Sequence, residues 1–330
     1  VNRCLRSLAA APLVLAALSS ATLAETAPLR IVATVGMAGD IASSIAGPCG
    51  AVTTLIGPGA DPHLYAPLPS DLRALREADV VVLSGFALEG RFGEVLARLG
   101  ESRPVVALAE VAADAAGENA LVIDPETGAP DPHLWMDPGL WAAGVGPLAD
   151  RLAAAAPDCA GDIAERADAL ARELAALDAW AEESLATVPQ SARVLVTAHD
   201  AFGYFARAYG FRQEAIQGVS TAAEAGIADI DNLARLIADA GIPAVFVEST
   251  INPRSIAALT EAVAALGASV TTGGELHADA MGAEGTAAGT YLGMIHHNVV
   301  TIARALGGAP APLPAELAPW AARWGIASGG

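Results

Sequence analysis

The sequence predicts an α/β protein of two lobes, each with a mostly parallel four-stranded sheet flanked by helices, joined by one long rigid α-helix. Three observations predict it. Short apolar runs alternate with helical patterns in the first half. A stretch rich in Ala, Leu, Glu and Arg, free of interior proline, follows Pro157. The strand–helix alternation then resumes. Alternation of this kind indicates parallel strands with helices on both faces.

In chain order, LRIVATV (29–35) reads as a strand, with a helix near 37–46, and AVTTLI (51–56) as the second strand. SDLRALREA (70–78) reads as a helix and DVVVLS (79–84) as a strand. EGRFGEVLARL (89–99) is a helix and PVVALA (104–109) a strand, after which a long loop is expected. From Cys159 the chain runs to Val188 with good helix formers throughout. Ile163, Ala167, Leu170, Leu174, Leu177, Trp180 and Leu185 recur at helical spacing. Such a helix would be roughly 40 Å long at 1.5 Å per residue, and it lacks the sustained heptads of a coiled coil. Beyond it, 193–198, 211–217, 243–249 and 268–273 read as strands. Helices fall near 202–208, 228–240, 253–266 and 286–305. The expected division is a signal peptide at 1–24, a first lobe at 25–157, a bridging helix at 158–189 and a second lobe at 190–330.

The signal peptide is expected from Arg3 and Arg6, a following apolar run, and small residues ending in Ala-Thr-Leu-Ala, with cleavage after Ala24. No cysteine stands at that point to carry a lipid anchor, and Cys4 would leave with the leader. The rest of the chain, although the whole is 53% apolar, has no run of about 20 apolar residues that would span a bilayer. The product is therefore expected to be soluble and periplasmic. All 18 basic residues are arginine against 37 acids, and losing Arg3 and Arg6 takes the net charge from −19 to −21. Such acidity argues against a nucleic-acid partner. It suits a cation ligand, but solubility is the first explanation of it. Cys49 and Cys159 remain, an even count that permits one disulfide in an exported protein.

The chain has six histidines, and two occupy matching contexts: GADPHLY around His63 and APDPHLW around His133. Asp-Pro initiates turns because proline presets its own φ and restricts the residue before it. His63 follows the second strand and His133 follows the fourth. His199 directly follows the first strand of the second half, and Asp279 lies in the loop after the last. Ligands of open parallel sheets bind outside the carboxyl ends of the strands. If the halves face each other, three imidazoles and one carboxylate can converge as an N₃O set, which leans to zinc. His199 is also compatible with simple packing, and His277 is a rival ligand. His296 and His297 are adjacent on a helix and point apart, so they read as surface or packing residues. Asp200, Asp137 and Glu248 are candidates for orienting the imidazoles through their other nitrogen.

These residues and their surroundings resemble a known family, the periplasmic solute-binding proteins of zinc and manganese ABC importers (cluster A-I, or cluster 9). The resemblance is carried by GADPHLYAPLPSDLRALREADVVVLSGFALEG, DPHLWMDP, TAHDAFGYFARAYGF, VFVESTINPRSIAALTEAVAALGA and LHADAMGAEGTAAGTYLGMIHHN. It implies two α/β lobes bridged by a rigid helix, with metal buried between them on His63, His133, His199 and Asp279. Histidine at the third position, here His199, implies the zinc subtype, although manganese or mixed import is an alternative. It implies a monomer that hands metal to a permease and its ATPase. Many zinc members carry a His-rich loop before the second ligand; residues 109–132 contain no histidine, which makes supply by a periplasmic zinc chaperone conceivable. With the topology so implied, Cys49 and Cys159 fall at the same end of the first lobe, away from the cleft, and a disulfide between them is expected. A zinc hydrolase is the competing class, since three histidines and a water form a catalytic pattern. HExxH is absent, no general base is evident, and a fourth protein ligand would displace the water. Adhesion is a third, remote reading.

Overall fold

The computed structural model describes residues 27–327, apart from positions 101, 118 and 224. The expected leader at 1–24 lies outside the described residues. The first lobe begins with β1 (Leu29–Val35), α1 (Gly36–Ala46), β2 (Gly50–Ile56), α2 (Pro69–Glu77), β3 (Val80–Leu83), α3 (Gly93–Gly100) and β4 (Val105–Ala107). Its four strands form one parallel sheet in the order β2-β1-β3-β4. Ile31 is in register with Val52 on one side and Val80 on the other. The central strands read as near-continuous apolar runs because both faces are covered.

Helix α4 (Leu108–Ala116) starts directly after β4, where a loop is expected from sequence. The apolar run crosses the boundary between the two: Leu108, Ala109, Ala112 and Ala113 are buried at helical spacing, yet the alanines give little periodic contrast. Helices α5 (Pro138–Ala142) and α6 (Val145–Ala155) follow, in a stretch to which the sequence assigns no element.

The long helix is α7 (Ala160–Ala186). All seven of its expected stripe residues are buried. It packs against α1, α5 and α6 of the first lobe and against later helices of the second. At its start, Cys159 forms a disulfide with Cys49, with Cα atoms 6.2 Å apart. Two turns further, the Arg166 guanidinium donates to the Ile45 and Ala46 carbonyls, at 2.8 Å each, and so caps α1. The first lobe is thereby tied to the bridging helix by both a covalent and a polar link.

The second lobe holds β5 (Val194–His199), α8 (Gly203–Tyr209), β6 (Arg212–Gln217), α9 (Ile227–Ala240), β7 (Ala244–Glu248), α10 (Arg254–Ala265), β8 (Thr271–Leu276), α11 (Tyr291–Ala305) and α12 (Ala318–Trp324). Its four strands are hydrogen-bonded as two parallel pairs, β5 with β6 and β7 with β8, with β5 lying beside β7. β8 falls three residues later than the expected 268–273. Its middle is Gly273-Gly274, which from sequence marks a turn. In the fold these glycines admit close neighbours: a Cβ on Gly273 would stand 2.6 Å from the Phe246 ring and 2.8 Å from Ala305 Cβ. The register slips at the same place, between Val245 and Phe246.

One continuous core joins the lobes. It runs from Ile31, Met37 and Ile41 through Leu170, Leu174 and Leu177 of α7 to Tyr291, Met294 and Ile295 of α11. A separate core of Val196, Ile216, Leu233, Val245, Leu259 and Val263 belongs to the second lobe alone. A shared, close-packed core resists rigid-body opening about α7.

Candidate metal centre

The four candidates stand where the two lobes meet. His63 follows β2, and His133 lies beyond α4, in the long segment before α5. His199 is the last residue of β5, and Asp279 follows β8. Each Asp-Pro-His turn is closed the same way. Asp61 Oδ1 accepts from His63 N at 2.8 Å, and Asp131 Oδ1 accepts from His133 N at 2.9 Å. The aspartate side chain thus mimics a backbone turn, which explains why the motif recurs as a unit. Gly90 (φ +38°) is packed on the first turn, where a Cβ would sit 2.4 Å from the His63 carbonyl oxygen.

The four side chains converge. His63 Nε2 lies 3.4 Å from His133 Nε2 and 3.5 Å from Asp279 Oδ2. His133 Nε2 is 3.2 Å from Asp279 Oδ1, and His199 Nε2 is 3.2 Å from Asp279 Oδ2. One donor atom from each of the four lies within 4.8 Å of all the others. Two donors bound to one tetrahedral ion at ~2.1 Å stand ~3.4 Å apart, so this spacing fits a shared cation. Three of the side chains are fully buried, and that of His63 is 4% exposed. Asp279 Oδ1 and Oδ2 face imidazole nitrogens and no other donor among the described residues.

Two of the imidazoles are oriented from behind. His133 Nδ1 is 2.7 Å from Asp131 Oδ1, and His199 Nδ1 is 2.5 Å from Glu248 Oε2. When the ring is neutral, a carboxylate on Nδ1 keeps the proton there, so Nε2 is the nitrogen that offers its lone pair to a metal. Glu248 Oε1 also accepts from His199 N at 2.8 Å. The electrostatics follow from these contacts. Burial pushes His63 down to about 4, with its two neighbouring imidazoles adding to the effect and Asp279 opposing it. Burial also acts to lower His133, but Asp131 and Asp279 outweigh it and bring the group to about 9. Against the same burial, Glu248 and Asp279 hold His199 well above its ordinary value. Burial works to raise Asp279, yet His199 and His133 keep it well below the usual carboxylate range.

The other sequence candidates lie elsewhere. The His277 ring pairs with His297 at 4.8 Å, outside the four. His296 is packed between Trp180 and Trp320. Of the proposed orienting acids, Glu248 fills that role. Asp137 instead caps α5, accepting from Leu140 N at 2.9 Å. Asp200 bonds neither ligand histidine, and burial beside Asp131 raises it to about 6. The carboxylate that orients His133 is Asp131, inside the motif itself, at 2.7 Å from Nδ1, and not Asp137 four residues after the histidine.

Links across the lobes surround the centre. Trp135 Nε1 donates to the Ala278 carbonyl at 3.0 Å, next to Asp279. Tyr291 Oη donates to the Trp135 carbonyl at 2.7 Å, and Tyr204 Oη to the Asp131 carbonyl at 2.8 Å. No local sequence signal announces these contacts, which span up to 156 residues.

No helix among the described residues is long and apolar enough to cross a membrane. The family model of ZnuA, the periplasmic component A of a zinc-uptake complex, matches residues 31–305. The zinc-binding protein TroA of Treponema pallidum (strain Nichols) is 42% identical over 283 residues, covering 86% of this chain and 90% of the relative. The manganese-binding lipoprotein MntA of Bacillus subtilis (strain 168) is 41% identical over 278 residues, covering 84% and 90%. The solved structure of periplasmic TroA from Treponema pallidum superposes with a TM-score of 0.81 at 41% identity, over 85% of this chain and 99% of that one. By a match over most of its length, and by relatives of this identity, the chain belongs to the ZnuA family of periplasmic zinc-uptake components.

Proposed function

We propose that this protein captures zinc in the periplasm and delivers it to an ABC permease driven by a cytoplasmic ATPase, the ion being held by His63, His133, His199 and Asp279. The observation that carries the reading is the buried N₃O set, with four donor pairs at 3.2 to 3.5 Å and all four donors within 4.8 Å of one another. Binding would stabilise the fold by linkage, by about 4 kcal/mol at a thousandfold excess over Kd. The protein acts as a monomer divided at the bridging helix, residues 158–189, and is exported through a cleaved leader. Residues 109–132 lack histidine, so zinc is acquired without a capturing loop, directly or from a chaperone. Four protein donors leave no position for substrate, so the protein is not an enzyme.

Manganese is the second reading. A manganese-binding relative is 41% identical, and both oxygens of Asp279 face the centre, which permits a bidentate carboxylate and a more oxygen-rich coordination. Competitive titration of metal-free protein separates the two. One tight zinc equivalent that resists excess manganese and is weakened by Asp279→Ala supports zinc capture. Displacement of zinc by comparable manganese supports the second reading. Tight zinc binding unchanged by Asp279→Ala returns the site to a three-histidine hydrolase, which ester hydrolysis by the zinc form would reveal.

A further inference from the structure

We propose that the Thr221 hydroxyl is a positioning group that holds His63 on the metal and sets how fast the metal leaves. This rests on the reading of His63 as a ligand. Thr221 lies in the second lobe between β6 and α9 and is 7% exposed. Its Oγ1 donates to Asp61 Oδ2 at 2.7 Å, across 160 residues of sequence. The other oxygen of the same carboxylate accepts from His63 N. One aspartate therefore connects the second lobe to the backbone of a first-lobe ligand.

His63 depends on this link more than its partners depend on any comparable one. Among the described residues no carboxylate stands on its Nδ1, as Asp131 stands on His133 and Glu248 on His199. It is the one ligand with any side-chain exposure, and its 3.5 Å approach to Asp279 is longer than the 3.2 Å of the other two. Leu64, next in the chain, is 50% exposed. The ligand nearest solvent and least braced is the one that detaches first. Its detachment is resisted by the turn, and the turn is held from the second lobe by Thr221. A hydroxyl donating to a carboxylate is a charge-assisted bond, stronger than a neutral one.

The test is the rate of zinc release to excess chelator, followed by stopped flow on the zinc-loaded mature protein. T221V is expected to release zinc roughly tenfold faster, with association unchanged, and T221S to restore the wild-type rate. In the D61A or H63A background, T221V should add nothing, since its effect passes through both residues. A wild-type release rate in T221V, or an equal acceleration when Asp61 is absent, would overturn the inference. If H63A itself binds zinc as tightly as wild type, the ligand assignment falls instead; if H63A weakens binding and T221V leaves release unchanged, only the role of Thr221 falls.

Discussion

The two Asp-Pro-His-Leu turns share a tetrapeptide and a closing hydrogen bond but have opposite surroundings. In the first, Leu64 is 50% exposed; in the second, Leu134 is fully buried. Tyr65 after the first turn donates to Asp71 at 2.8 Å on α2, within its own lobe. Trp135 after the second reaches across to Ala278, beside Asp279. The aspartate of the first turn holds only its histidine's backbone, whereas that of the second also holds the ring. Burial pushes His63 down to about 4, whereas against the same burial Asp131 and Asp279 lift His133 to about 9. The motif thus dictates how the chain bends, and the packing around it dictates what the histidine can do. One turn is a fixed part of the core; the other is a rim element braced from the opposite lobe.

The strongest way to break the comparison is to remove each histidine. If four donors share about 10–16 kcal/mol of zinc affinity, each contributes about 2.5–4 kcal/mol, on the order of a hundredfold. His133→Ala is expected to weaken zinc by a thousandfold or more, on the order of the full share plus an unpaired Asp131. His63→Ala should cost roughly a hundredfold, because water can reach the rim position. Equal losses, measured by chelator competition, would erase the distinction between the turns.

Next come the aspartates. Asp131→Asn removes the carboxylate from His133 Nδ1, and a loss of about 10- to 100-fold in zinc affinity is expected. Asp61→Asn leaves the His63 ring untouched and should cost about tenfold or less. A larger effect from Asp61 in the same titration would reverse the assignment.

Protons sharpen the comparison further. His133 and His199 are held above neutrality and carry protons at pH 7, whereas His63 is already neutral. Zinc requires neutral imidazoles, so binding at pH 7 should release about two protons. His133→Gln should release about one fewer and His63→Gln the same number, read by calorimetry in buffers of different ionisation enthalpy. Zinc affinity should therefore rise with pH as His133 loses its proton through about 9. For metal-free protein the sign is opposite. The raised His133 value contributes stability that is fully present below its unfolded value of 6.5 and lost as pH rises through about 9. Melting temperature against pH, with and without zinc, reads both slopes.

The smallest expected effect belongs to Tyr204→Phe. It removes one buried hydrogen bond to the Asp131 carbonyl and should lower metal-free stability by about 1 kcal/mol. Its effect on zinc release should be smaller than that of Thr221→Val, since Asp131 keeps its own hold on His133. Chemical denaturation and the release assay together check this.

Much of this arrangement is legible in the sequence because it is local. The repeated turn, the histidine at the end of β5, the loop holding Asp279 and the buried stripe of α7 all have signals within a few residues. What is not legible is either ambiguous in composition or remote. α4 hides in an alanine-rich run that lacks periodic contrast. β8 contains two glycines whose purpose is visible only when Phe246 and Ala305 are seen against them. Asp137 and Asp131 stand on either side of His133, and spacing alone does not say which one turns back to the ring. Thr221 and Asp61 meet only because the lobes do.

The most direct measurement of the central claim is anomalous diffraction at the zinc edge from crystals of the zinc-loaded protein. The account predicts one strong peak at ~2.0–2.2 Å from Nε2 of His63, His133 and His199 and from a carboxylate oxygen of Asp279. A peak held by the three histidines and a water, with Asp279 turned away, or a peak at His277 and His297 instead, would contradict it.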